Sequence, residues 1–303
     1  MDNIGRHIVA QQNNEHCIRE LSAQRQIYSE AKLLFYLQII IAVPIPIAIS
    51  FIQVFSSDAA KLSWLFAFYS IVASILEIFI EAEINKKKQT AATIQEQFDC
   101  DVLYIPWNKV LVKEKAKPEV VFKSSNKFQS KSNLDRLYNW YSPLLEKVGT
   151  NAATLIAQRT NCTYDFSLRK KFNYIILSLA LCTLAVTIWA TLAIGFSMQT
   201  FFSNIALPML PITLVVIKQI RSNNESLTNL EELREIIESY LENIVHQPNI
   251  PVDVIRQVQD KIYCNRTTSP LMPDALYSWL WSELEEAMAF STQTKIDELR
   301  IKP

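Results

Sequence analysis

The side chains with the most chemical potential in this chain are aromatic and cationic rather than nucleophilic. Trp107-Asn108, Trp140-Tyr141, Arg159 and Arg266 combine flat faces on which bases stack with guanidinium forks that match phosphate. Such a set could hold a nucleotide. It could equally bind polar helices to one another and to a membrane boundary, where Trp and Tyr concentrate.

Conventional catalysis has little to stand on. His7, His16 and His246 are the only histidines, and none lies near a plausible Ser or Cys nucleophile in sequence, so no enzyme is expected. The three glycines, Gly5, Gly149 and Gly195, exclude a Walker loop, a dinucleotide fingerprint and a glycine seam between membrane helices. Cys17, Cys100, Cys162, Cys182 and Cys264 have no paired spacing and read as free thiols in a reducing compartment, with no zinc site, no other metal site and no cofactor. Acidic and basic residues balance at 30 each, so no basic field recruits nucleic acid.

The elements that must position these residues are dominated by four apolar runs, Leu33 to Phe55, Leu62 to Ile80, Tyr174 to Phe196 and Phe201 to Ile217. A membrane span needs about 20 mainly apolar residues, and its backbone must be helical to satisfy itself in lipid. The runs predict a mainly α membrane protein with four transmembrane helices in two hairpins. Arg19, Arg25 and Lys32, then Lys86 to Lys88, Arg169 to Lys171, and Lys218 with Arg221 flank the runs on one side, which places both termini in the cytoplasm. The expected organisation is an N-terminal cytoplasmic helix over 1–32, hairpins over 33–81 and 173–217, a cytoplasmic middle over 82–172 and C-terminal cytoplasmic helices over 218–303.

Within the middle region, Val102 to Ile105, Val110 to Val112 and Val120 to Phe122 predict a small extended or β insertion broken by Pro106 and Pro118. A loop is expected over 124–132 and a helix over 133–160. Thr228 to Glu231 forms a capping box for a helix carrying Leu230, Leu233, Ile237, Leu241 and Ile244 on one face, for packing within the chain or between copies. In the membrane part, Glu77 either lines a cation-attracting pore mouth or meets interfacial water, Lys86 or Arg169. An intramembrane carboxylate at the centre would cost about 2.5 to 3.5 kcal/mol. Pro44, Pro46, Pro208 and Pro211 should kink the first and last spans, as gates or as static packing.

At these residues the chain resembles the SMODS-associating four-transmembrane effectors of cyclic-oligonucleotide-based anti-phage signalling systems. The resemblance runs through Ala23-Gln24-Arg25 with Tyr28, Phe98-Asp99, Pro106-Trp107-Asn108 and Trp140-Tyr141. It continues through Arg159-Thr160-Asn161 with Asp165, Leu168-Arg169, Leu207-Pro208, Arg256, Gln259-Asp260, Ile262-Tyr263, Arg266 and Pro273. Tyr164 departs from the tryptophan expected before Asp165. The family's motif residues bring no established chemical roles with them.

The resemblance implies a bacterial inner-membrane effector that works beside a cyclic-oligonucleotide synthase. A cyclic nucleotide, bound directly or through a partner, would rearrange or oligomerise the protein in the lipid bilayer, permeabilise the membrane and cause abortive infection. A homo-oligomer is expected, because four helices leave little room for a pore within one protomer. The competing readings are a constitutive membrane channel or transporter, and a membrane-tethered scaffold unrelated to defence.

Overall fold

The computed structural model describes residues 3–42, 44–45, 48, 59–130, 132, 134–149, 151–194, 207–243 and 250–301. Among the described residues the chain forms eight α-helices: α1 (Ile4–Gln11), α2 (Glu15–Ala42), α3 (Ala59–Leu103), α4 (Pro118–Gln129), α5 (Ala152–Ile194), α6 (Leu207–Glu242), α7 (Val252–Thr268) and α8 (Asp274–Ile301). Two short 3-10 turns, Asp135–Leu137 and Pro143–Lys147, join α4 to α5.

Two parts of the expected fold class are corrected. Among the described residues no helix is long and apolar enough to cross a membrane, so the expected four transmembrane helices are not found there. The described parts of the apolar runs form the ends of helices whose other halves are charged and packed: α3 passes from Ile80 straight into Glu81, Glu83 and Lys86 to Lys88. Residues 49–58 and 195–206, which hold the expected hairpin tips, and Pro46 lie outside the described residues.

The β insertion is also absent among the described residues. Val102 belongs to the last turn of α3, Val110 to Val112 form a turn, and Val120 to Phe122 lie inside α4. Pro118 occupies the first turn of α4, where its missing N–H costs nothing and its fixed φ favours a helix. Val102, Ile105 and Val112 are buried, while Val110, Val120 and Phe122 are exposed, so the short apolar stretches belong to helix and turn without forming one buried face. The helix expected over 133–160 begins only at Ala152, after the two 3-10 turns. No helix starts at Thr228, because α6 runs unbroken through it and its hydroxyl donates back to the Asn224 carbonyl at 3.2 Å.

The core joins the polar halves of the helices. Leu21 of α2, Phe98, Val102 and Leu103 of α3, Leu155 and Ile156 of α5, Leu233 and Ile237 of α6, and Val258 and Ile262 of α7 are buried in one cluster. Leu230, Leu233, Ile237 and Leu241 lie on its α6 side, which is the intramolecular use of that helix face; Ile244 lies outside the described residues. In the long antiparallel contacts α2 packs on α3 and α5 on α6, while α4 lies across α2.

Two local details fix this packing. Tyr104 adopts a left-handed φ of 60° and closes α3, with the Ile105 N–H donating to the Cys100 carbonyl at 3.0 Å as in a Schellman cap. The chain so turned delivers Pro106, Trp107 and Asn108 to the side of α7. At the other end of the core, Gly5 lets α1 touch the second 3-10 turn: its N–H donates to the Val148 carbonyl at 3.1 Å, and a Cβ there would stand 1.9 Å from the Leu145 carbonyl oxygen.

Glu30 of α2 ties three helices together. Its carboxylate accepts from Lys87 of α3 at 2.8 Å and from Lys127 of α4 at 2.6 Å. Burial alone would raise this carboxyl, but the hydrogen bonds from Lys127 and Lys87 outweigh it and hold it down at about 2.

Two outcomes are expected. Gly5→Ala forces the backbone of α1 away from the 3-10 turn and lowers the unfolding free energy by about 2 kcal/mol or more, read by chemical denaturation. Because the folded value of Glu30 lies below its unfolded value, its stabilisation is complete above about pH 5 and disappears as pH falls toward about 2. Protection factors for hydrogen exchange at the α4 amides should fall across that interval, and Glu30→Gln should flatten the dependence.

Candidate functional site

Two helix faces with matching periodicity meet at the centre of the core. On α3, Glu96 and Asp99 are three residues apart and point to one side; on α7, Arg256, Gln259 and Arg266 lie on one face at steps of three and seven. Glu96 accepts from Arg256 Nη2 at 2.6 Å and from Gln259 Nε2 at 2.8 Å. Asp99 accepts from Gln259 Nε2 at 2.9 Å, from Arg266 Nη1 at 2.5 Å and from the Tyr141 hydroxyl at 2.6 Å. Gln259 thus bridges two carboxylates that are both fully buried.

The surrounding residues complete the junction. Asn161 of α5 donates to the Tyr141 hydroxyl at 3.0 Å, and Gln158, one turn earlier, donates to the Gln259 side-chain carbonyl at 3.0 Å. Arg256 also reaches the Pro106 carbonyl at 2.8 Å and Asp260 at 2.8 Å. Asp260 accepts from Asn108 Nδ2 at 2.9 Å, and Asn108 Oδ1 caps the next turn by accepting from the N–H groups of Val110 and Leu111. The backbone of Tyr141 is held by Gln12, whose side-chain amide exchanges two hydrogen bonds with it at 2.7 and 3.1 Å.

Burial sets the electrostatics. Desolvation and the neighbouring Asp99 charge push the Glu96 carboxyl up against the opposing pull of Arg256. Desolvation lowers the affinity of both guanidinium groups for their protons, but Glu96 beside Arg256 and Asp99 beside Arg266 more than reverse it. Burial first, and then the Asp99 charge, push the Tyr141 phenol well above its ordinary range, so it stays a donor to Asp99.

Five of the six expected ligand residues gather at this junction or on its rim. Tyr141 and Arg266 are part of it, and Asn108 reaches it through Asp260. Trp140 stands edge-on to Phe98, which stacks on Tyr141 with ring centroids 6.0 Å apart, and the Arg25 guanidinium sits over Trp140 at 5.5 Å. Trp107 packs on the rim, donating to the Lys113 carbonyl at 3.0 Å. Arg159 lies apart: it pairs with Glu238 of α6 and donates to Ser291 of α8 at 2.7 Å. The polar groups of Asn108, Tyr141, Arg159 and Arg266 are thus engaged with residues of the chain itself.

Sequence reasoning missed Glu96, Gln158 and Gln12, which lie in ordinary helical surroundings. The i, i+3 pairing of Glu96 with Asp99 was the one signal that could have found the first. Of the expected gate residues, Glu77 accepts from Gln38 at 3.4 Å beside a cleft of about 240 Å³ between α2 and α3, and Arg169, one of its expected partners, is held by Asp165 and Asn223 instead. Pro44 is helical and exposed, and Pro46 lies outside the described residues. Pro208 and Pro211 sit within the first five residues of α6, which runs on to Glu242. All five cysteines are free.

A helical chain with this buried motif set across its length matches a class of bacterial effectors. The chain matches the SMODS-associating 4TM effector domain over residues 6–295 and belongs to that family. It is 30% identical over 284 residues to a protein of Bacillus cereus (strain VD146) described as a probable CBASS effector molecule, covering 92% of this chain and 94% of that one. No solved structure matches.

Removing one partner from a buried ion pair strands the other, at a cost of about 3 to 5 kcal/mol. Arg266→Ala is expected to destabilise by that amount and Tyr141→Phe by about 1 to 3 kcal/mol. Chemical denaturation followed by circular dichroism checks both, and the double variant Asp99→Leu with Arg266→Met should recover most of the loss.

Proposed function

We propose that this chain is an anti-phage effector of the CBASS kind, which answers a cyclic nucleotide from a partner synthase by permeabilising the inner membrane. The observation that carries the reading is the continuity of α3. One unbroken helix joins an exposed apolar face, with Trp64, Phe68, Ile71 and Phe79, to the buried Glu96 and Asp99. From Phe79 to Glu96 the helix rises about 25 Å, so a shift at the junction is carried rigidly to the apolar end.

The same division recurs in the other long helices. Leu33 and Leu37 of α2, Leu177, Leu179 and Trp189 of α5, and Leu214 and Ile217 of α6 are exposed, while the opposite halves of these helices are packed in the core. Exposed apolar surface of this extent marks a place of contact with lipid or with further protein. In this reading the apolar ends meet the bilayer, and several copies assemble there.

The nucleotide acts at the junction. Its phosphates are bidentate partners for guanidinium groups, and they compete with Glu96 and Asp99 for Arg256 and Arg266, loosening α7 from α3. Trp107 and Trp140 on the rim offer faces for the bases. The ligand must bind the rearranged state more tightly than the resting one, by several kcal/mol for a sharp switch.

Dye-loaded liposomes carrying the purified protein, challenged with a panel of cyclic di- and trinucleotides, test this. One cyclic nucleotide should release dye while linear nucleotides do not, and Phe79→Asp with Leu177→Asp should fold yet release none. No release with any of the panel, together with undiminished protection of infected cells by the double Asp variant, would sink the proposal.

A further inference from the structure

A second polar group lies next to the junction and takes no part in it. His16 and Glu20, four residues apart on α2, share a helix face and meet Asp101 in the last turn of α3. His16 Nε2 lies 3.3 Å from Glu20 Oε1 and 3.8 Å from Asp101 Oδ2. One ligand-capable atom from each of the three residues falls within 4.8 Å of the others.

The state of Glu20 points to a missing partner. Its side chain is fully buried, and Oε1 accepts from Gln97 Nε2 at 3.3 Å. The other oxygen, Oε2, is buried with no hydrogen-bond partner among the described residues. Buried carboxylate oxygens are normally satisfied, because desolvating one without a donor or a cation is costly. A second carboxylate, that of Asp101, stands beside it. The cations near the group are His16, which is uncharged unless protonated, and Lys115, whose Nζ lies 3.7 Å from Asp101 Oδ1 and over the Trp107 ring.

We infer that His16, Glu20 and Asp101 form a binding site for one divalent first-row transition ion of the Mn²⁺ or Fe²⁺ class. One imidazole nitrogen with two carboxylates is the mixed N,O donor set that such ions accept. Metal bonds of roughly 2.0 to 2.2 Å place neighbouring donors about 3 to 3.5 Å apart, near the 3.3 and 3.8 Å that separate His16 from its two partners. Thiolate does not enter, since Cys17 beside His16 is turned into the apolar core. Solvent reaches the site from the His16 side, where that side chain is 66% exposed, leaving room for water ligands. The ion neutralises the facing carboxylates, displaces Lys115 from Asp101 and clamps α2 to α3 two residues beyond Asp99.

Titration of the full-length protein with Mn²⁺, followed by loss of the free-ion electron paramagnetic resonance signal, reads the site directly. One Mn²⁺ should bind per chain. Affinity should fall at least tenfold in His16→Ala and in Asp101→Asn, and it should rise in Lys115→Met, where the competing ammonium is gone. His16 is exposed, so its variant retains the fold, which circular dichroism confirms. Absence of bound Mn²⁺ at millimolar concentration, or wild-type affinity in both His16→Ala and Asp101→Asn, overturns the inference.

Discussion

Two fully buried carboxylates, Glu96 and Asp99, one turn apart on the same helix, impose the arrangement of everything near them. Neither charge can be desolvated alone at tolerable cost, so each requires a cation and further donors in fixed geometry. Arg256 and Arg266 supply the cations from α7, Gln259 bridges the two acids, and Tyr141 arrives from the segment before α5. That requirement explains why α7 lies on α3, why the chain after Leu103 turns sharply to bring Pro106 and Asn108 to Arg256 and Asp260, and why Gln12 holds the Tyr141 backbone. An apolar core of the same volume would be at least as stable. What the charged junction adds is a definite register between helices.

The long helices are divided along their length rather than around their circumference. In α3 and α5 one half is apolar and exposed, while the other carries charges and packs into the core. A helix that is amphipathic around its axis lies along a surface; one that is divided end to end joins two environments. The division places the buried junction and the exposed apolar surface on one continuous helix. Further ties between helices lie near the change of character, where Glu81 accepts from Lys218 at 2.9 Å and Arg169 is held between Asp165 and Asn223.

The expected ligand residues illustrate how far residue type alone carries an argument. Trp107, Trp140 and Arg266 carry chemistry that suits nucleotides, and Arg266 does lie at the charged centre of the fold. Its partner in this structure is an acid from the same chain. Arg159 carries the same chemistry, yet it ties α6 to α8 through Glu238 and Ser291. An arginine's chemistry is legible from its type, but the identity of its partner depends on which helix lies opposite.

The sequence by itself determined the helical character, the places where apolar and charged stretches alternate, the free cysteines and the ordered motifs that mark the family. These follow from local periodicity and composition, which act over a few turns of chain. Tertiary structure alone decided that Val102 and Val120 to Phe122 are helical rather than extended. It also decided that Thr228 lies within a helix and that Glu96 and Asp99 meet Arg256, Gln259 and Arg266. Short apolar alternation is shared by half-buried strands and by helix ends, and packing chooses between them. The buried junction, and the His16, Glu20 and Asp101 group beside it, join residues more than 80 positions apart in sequence. Local sequence patterns do not encode such pairings, because the desolvation that makes them necessary exists only once the helices have met.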